Sequence, residues 1–272
     1  MFRLGLMACL AFGVLALGTL LFDIVSTGLP RLNAQLFERF PSSSPRRAGA
    51  QSAIFGTLWV ISITALITVP LGVATAVYLE EYADERRWYN RLLALNIQNL
   101  AAVPSIIYGI LALGFIVRGI GLGPTVLAGA LALTLLVLPI VVLASREAMR
   151  AVPSGIREGA LALGATQWQM ISRQVLPNAV PGIATGTILA LSRAIGEAAP
   201  LLLVSGITFI TFNPKDVNSA FTVLPLQIYN WVTRPQEEFA VLAAAAIMVL
   251  LGILLVMNSV AILLRNTFQK RW

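Results

Sequence analysis

Unbroken apolar stretches, each long enough to cross a bilayer, dictate what this chain can become. An α-helix needs ~20 mostly apolar residues to cross ~30 Å of hydrocarbon. Such runs recur at Leu4–Phe22, Ile54–Leu79, Asn96–Val117, Thr125–Ser145, Pro181–Ser205 and Phe239–Leu264. In hydrocarbon the backbone must satisfy its own N–H and C=O groups, so a helical bundle is expected rather than an open sheet. The reading is therefore an all-α polytopic membrane protein with six transmembrane helices. The first run competes with a cleaved signal peptide. It is longer than a typical signal core and no small-residue cleavage site follows it, so it is assigned as the first span.

Composition narrows the chemistry. Hydrophobic residues make up 58% of the chain and charged ones 11%. The net charge of +7 comes almost entirely from Arg, and no basic cluster is interleaved with solvent-facing aromatics. The arginines are read as loop residues that fix topology, with membrane lipid and not nucleic acid as the partner. There is no His, and Cys9 is the only Cys. An internal disulfide, a zinc site and a His-based triad are excluded. Lys215 and Lys270 are the only lysines and neither follows a Gly, so there is no phosphate-binding Walker loop and no cofactor is expected on this chain.

Residues 1–53 are expected to form the first helix and an external loop, with Pro41–Arg47 as its least structured part, and residues 54–272 the core. The turn Glu80–Arg87 is read as a solvated loop, and Arg118–Pro124 as a tight turn. Pro70, Pro104 and Pro139 interrupt three spans, and Gly182 with Gly186 offers close helix contact. Leu224, Ile228 and Trp231 suggest an interfacial helix, and Arg265 with Lys270–Trp272 a cationic and aromatic anchor. Six spans put both termini on one side. With the termini inside, eleven Lys and Arg lie inside against seven outside, a weak excess for cytoplasmic termini.

The loop between the fourth and fifth spans is placed at about residues 146–180, and the most built-looking stretch, Pro153–Gly182, overlaps it. Ser154 is read as the N-cap of a short helix over 155–163, and Gly164 as the left-handed residue that stops it. Thr166 and Gln169 have capping-box spacing for a second short helix, which Pro177 is expected to end. Ile156, Ala160 and Leu163 share one face of the first helix, while Arg157 and Glu158 point elsewhere. A small apolar face flanked by a carboxylate suits a groove on a soluble partner. The alternative is an interfacial amphipathic helix without a partner.

Glu158, Gly159, Ala160, Gly164, Leu176 and Pro177 together resemble the EAA loop of ABC-importer permeases, whose pattern is Glu-Ala-Ala, three residues, Gly, nine residues, Ile-x-Leu-Pro. Gly159 stands for the first Ala and Gln174 for the Ile. The resemblance implies a type I ABC-importer bundle, with this loop as the coupling helix that fits a cleft on a cytoplasmic ATPase. It also implies a bacterial cytoplasmic-membrane location. Ser192–Leu202, with Arg193 and Glu197, is similar to a stretch of phosphate-importer permeases, and Phe221–Trp231 with Asn258 is similar to the second permease of that system. Tyr78–Tyr82 and Pro104–Gly109 fit the same pattern. The partners so implied are a second homologous permease, two ATPase subunits that bind the ATP, and an external phosphate-binding protein. Arg193 and Glu197 would lie near the middle of the fifth span and line the substrate path, or else form a structural pair. Sulfate or molybdate permeases share the Arg-x-x-Gly-Glu element. A phosphate-sensing membrane scaffold is the reading from a different class.

Overall fold

The computed structural model describes residues 2–84, 86–205 and 209–268. Among these, twelve α-helices occur with short 3-10 and π turns, and the one β-bridge joins Thr125 to Ala220. Among the described residues five helices are long and apolar enough to span a membrane, or six if a bent pair counts as one span.

The first helix, α1 (Phe2–Gly28), runs further than its apolar core and turns through Leu29–Arg31 into the short α2 (Ala34–Glu38). The expected loop is thus largely folded. Leu36, Ala48 and Ala50 are buried, and the Ala50 N–H donates to the Leu36 carbonyl at 2.7 Å. The second span is α3 (Gln51–Val77), extended by a π turn over Tyr78–Tyr82, and Pro70 is accommodated inside it.

The third span departs most from its expected form. It consists of α4 (Trp88–Ala101) and α5 (Ser105–Leu111, prolonged by a π segment Ala112–Gly119), which meet at 106°. Pro104 has no N–H to donate and drives Val103 away from helical angles, so the helix stops there. The Tyr108 hydroxyl donates to the Leu100 carbonyl at 2.6 Å, capturing one acceptor freed by the break.

Thr125 caps α6 (Val126–Arg150) by accepting from the Ala128 N–H, and Pro139 lies inside this helix. The loop helices α7 (Ser154–Ala162) and α8 (Gln167–Met170) follow. Pro177 does not end α8. A π turn over Ile171–Val175 carries the backbone directly into α9 (Leu176–Ile195), with Pro177 in its first turn. The wider turn sits where the proline ring would crowd a carbonyl one turn back, so the helix survives. The expected fifth span over 181–205 therefore begins earlier and breaks at 196–198. Beyond the break, α10 (Ala199–Ser205) lies against α5 and α6.

The expected interfacial helix is present as α11 (Leu224–Val232), but Leu224 and Trp231 are buried against the last span, α12 (Glu237–Phe268). Arg265 lies in α12, and Lys270–Trp272 fall outside the described residues.

Among the described residues four cores hold the bundle, the smallest of them joining Ala112 and Ile116 to Ala128, Ala132 and Val204. The central one joins α3, α5, α6 and α9 through Val60, Tyr108, Leu133, Val137, Ala194 and Phe221. A second joins α2 and α11 to α12. A third, around Leu79, Met149, Met170 and Ile171, lies under α7. The α6–α9 contact is close because Gly182 and Gly186 face it. A Cβ on Gly182 would lie 2.7 Å from the Ala148 Cβ, and one on Gly186 would overlap the Ala144 Cβ.

Candidate functional site

The loop between α6 and α9 is built by local rules. Pro153, not Ser154, occupies the N-cap position of α7, and no side chain caps that end. Proline fixes the entry backbone at φ −55°, and Ser154 falls inside the first turn. The other end matches its expected form. Gly164 has φ +82°, the Ala165 N–H donates to the Ala160 carbonyl at 3.1 Å, and the Gly164 N–H to Leu161 at 2.9 Å. This Schellman pair leaves room only for a residue that tolerates the left-handed region. The capping box on α8 is complete: the Thr166 N–H donates to Gln169 Oε1 at 2.9 Å and the Gln169 N–H to Thr166 Oγ1 at 3.3 Å.

The expected docking face divides in two. Ile156 and Ala160 pack inward on the third core, because the hydrophobic gain is available within the chain itself. Leu163 projects at the tip, 91% exposed, with Leu161 and Trp168 also exposed. Glu158, Gly159 and Gly164 are exposed around them. Leu176 is half-buried, while Pro177 is exposed on the first turn of α9. The surface offered outward is thus Leu161, Leu163 and Trp168 beside the Glu158 carboxylate. Trp168 lies outside the apolar face that the sequence pattern defines on α7, because it belongs to α8.

A charged brace joins this loop to the bundle. Glu80 and Glu81, expected in a solvated loop, are instead buried by the π turn at the end of α3, with side chains 15% and 6% exposed. Glu81 Oε1 accepts from Arg157 Nη2 at 2.9 Å and Nε at 3.3 Å. Arg157 also donates to the Val152 carbonyl at 2.7 Å and to Met149 at 2.8 Å, the latter also accepting the Val152 N–H at 3.1 Å, so the guanidinium binds the chain where α6 ends. Gln167 Nε2 donates to the Glu81 carbonyl at 2.6 Å. Glu80 lies between Arg146 Nε at 3.2 Å and Arg150 Nε at 2.8 Å. Cations at the C-terminus of α6 also suit its dipole. The available signal was two adjacent carboxylates ending one apolar span and Arg146 and Arg150, four residues apart, ending another.

Arg193 and Glu197 lie at the other end of the α8–α9 rod. That rod begins at Gln167 and runs 29 residues, so Arg193 is in its last turn instead of the middle of a span. Arg193 Nε is 3.4 Å from Glu197 Oε1, with side chains 60% and 19% exposed. Glu197 lies beyond the Gly196 cap, in the break before α10, not on the continuing helix. Just before it, the Ser192 hydroxyl donates to Asn258 Oδ1 at 2.6 Å, tying α9 to α12. The structure thus keeps the loop residues together at one end and the Arg193–Glu197 pair at the other.

Residues 68–269 match the family described as binding-protein-dependent transport system inner membrane component. The chain belongs to this family. Its relatives include the probable ABC transporter permease protein YqgI of Bacillus subtilis, 36% identical over 80% of this chain and 72% of that one. Phosphate transport system permease protein PstA 1 of Mycobacterium tuberculosis is 35% identical over 82% of this chain and 72% of its own. Phosphate transport system permease protein PstA of Xylella fastidiosa is 32% identical over 95% and 91%. Among solved structures, a chain of a bacterial alginate ABC transporter superposes with a TM-score of 0.69 at 18% identity, covering 94% of this chain and 90% of that one. A chain of the MetNI methionine ABC transporter, inward facing, gives 0.66 at 16%, covering 80% and 95%. The fold is therefore that of an ABC-importer permease, and the family places the chain in the inner membrane as a multi-pass component.

Proposed function

We propose that this chain is the permease subunit of an ATP-driven phosphate importer. It pairs with a second homologous permease, two cytoplasmic ATPase subunits and an external phosphate-binding protein. The observation that carries the coupling role is the exposed Glu158, Leu161, Leu163 and Trp168 surface on a loop braced to the ends of α3 and α6. A soluble ATPase gripping that surface pushes on three spans at once. The similarity to phosphate transport permeases supports the anion. With the ATPases on the cytoplasmic side the loop is cytoplasmic, and six spans, the bent pair counted as one, bring both termini to the same side. ATP is bound and hydrolysed by the partner subunits, and their closure switches the bundle between inward- and outward-facing states.

The test is uptake by the reconstituted assembly with phosphate, sulfate and molybdate in competition. Phosphate uptake that requires ATP and resists the other two anions is expected. Dominant sulfate or molybdate uptake overturns the substrate, and uptake without ATP overturns the coupling.

Arg193 is proposed to meet phosphate oxygens on the path. A broken helix within a bilayer is tolerated where it is buried in protein or lines a cavity, and Arg193 sits directly at such a break. Its guanidinium fork fits phosphate oxygens. Arg193→Gln is expected to lower uptake by about 10–100-fold, the equivalent of one charge-assisted hydrogen bond of ~1.5–3 kcal/mol. Arg193→Lys should keep part of it. Recovery of transport in Arg193→Gln with Glu197→Gln would make the pair purely structural.

A further inference from the structure

The start of α4 leans on the ends of α3 and α6 and leaves a cavity of about 250 Å³, lined by Leu79, Asn90, Arg91, Leu95, Gln98 and Arg146. Arg146 is only 6% exposed, yet its Nε alone is engaged, by Glu80 at 3.2 Å. Its terminal nitrogens have no hydrogen-bond partner among the described residues. Arg146 lines the cavity, so these donors are not sealed in protein but are available to an acceptor that enters it. Charge balance points the same way. Glu80 is shared by Arg146 and Arg150, and Glu81 is committed to Arg157. Arg91, on the opposite wall, forms no ion pair among the described residues.

The amide of Asn90 is already used, donating to the Asp84 carbonyl at 3.0 Å and accepting from the Tyr78 hydroxyl at 3.3 Å. Gln98 makes no side-chain hydrogen bond among the described residues, so its amide is open to a ligand. Outside the cavity, α4 exposes Leu92 and Leu93, and Trp88 and Tyr89 stand at its start. Aromatics beside arginines mark headgroup depth in a bilayer. The cavity therefore joins a cationic floor to an apolar outer face.

We propose that this cavity is a phosphate-group site at the cytoplasmic face, held by the guanidinium groups of Arg146 and Arg91 with the Gln98 amide. Guanidinium donors match phosphate oxygens in spacing and charge. The apolar face of α4 suits the acyl chains of an anionic phospholipid, whose headgroup phosphate enters the cavity, and free inorganic phosphate carries the same chemistry. An anion beside Arg146 sits against the Glu80 contact, which ties the end of α3 to α6 next to the Glu81–Arg157 pair that carries α7. The cytoplasmic placement rests on the orientation proposed above, whereas binding itself does not require transport.

The full chain, purified in detergent, is tested by native mass spectrometry with phosphatidylglycerol and with phosphate-free diacylglycerol, and by equilibrium dialysis with radiolabelled inorganic phosphate. The variant is Arg91→Gln with Gln98→Leu, which leaves Arg146 and its ion pair intact; both changed side chains are exposed. Retention of phosphatidylglycerol but not diacylglycerol, weakened about tenfold in the variant, assigns the site to a lipid headgroup. Inorganic phosphate binding that weakens likewise, without lipid retention, assigns it to the free ion. Equal retention of diacylglycerol, or binding of both probes unchanged in the variant, overturns the site. A chain that fails to transport phosphate in the uptake assay is still scored by these measurements.

Discussion

Arg157→Ala is expected to abolish ATP-driven uptake while the protein still inserts and assembles its spans. The substitution leaves the Glu81 carboxylate, its side chain 6% exposed, without its cation, and removes the guanidinium donor from the Val152 carbonyl and one of the donors from Met149. Removing one partner of a buried ion pair costs ~3–5 kcal/mol. Arg157 itself is 21% exposed, so the lower end of that range is expected here. The cost falls locally, because the five long spans do not depend on this contact. The loop then keeps only the Gln167 contact with the end of α3, and the ATPase moves a segment no longer held by its ion pair to what it must move. ATP hydrolysis in the reconstituted complex should continue and become uncoupled from uptake. Glu81→Gln should be milder, since the amide oxygen still accepts a hydrogen bond, and exchanging the pair as Glu81→Arg with Arg157→Glu should restore part of the uptake. Normal uptake by Arg157→Ala would remove the brace from the coupling argument.

Gly56→Val is expected to prevent a stable fold altogether. Gly56 lies on α3 where the backbone segment before α11 crosses it, and a Cβ there would overlap the Thr222 carbonyl oxygen. That segment has no freedom to retreat. Phe221 and Leu224 are fully buried, and the Leu224 N–H donates to the Thr57 hydroxyl at 2.9 Å. Overpacking a core ordinarily costs ~1–3 kcal/mol, and here the obstacle is backbone instead of a side chain that can turn away. The expected outcome is aggregation on size exclusion or a fall in Tm of the detergent-solubilised chain well beyond that of Gly13→Ala. Gly13 is a suitable control because nothing lies within 4 Å of its added Cβ. Equal Tm values for the two variants would show that the Thr222 crossing is not a fixed contact.

Much of the fold was legible because its signals are local. Hydrocarbon-length runs announce spans from composition alone, and Gly164 with Thr166 and Gln169 announces helix ends through hydrogen bonds between near neighbours. The EAA-like spacing marked the loop for the same reason, since it lies within one continuous stretch. Gly182 and Gly186 were readable as a close contact, although not which helix they touch.

The chain's own order of residues determined that it is a membrane bundle with a capped helical loop between two spans. Only the tertiary structure decided how its prolines act and which charges meet. Pro104 and Pro177 offer the same missing N–H, yet one breaks a span by 106° and the other rides within a 29-residue helix. The difference is whether neighbouring backbone can widen into a π turn and the freed carbonyls find partners. Glu80 and Arg146 are 66 residues apart and Glu81 and Arg157 are 76, so no local pattern pairs them. A charge near a helix end is solvated by default. It becomes a buried brace only when the folded bundle brings an opposite charge and open carbonyls within hydrogen-bond distance.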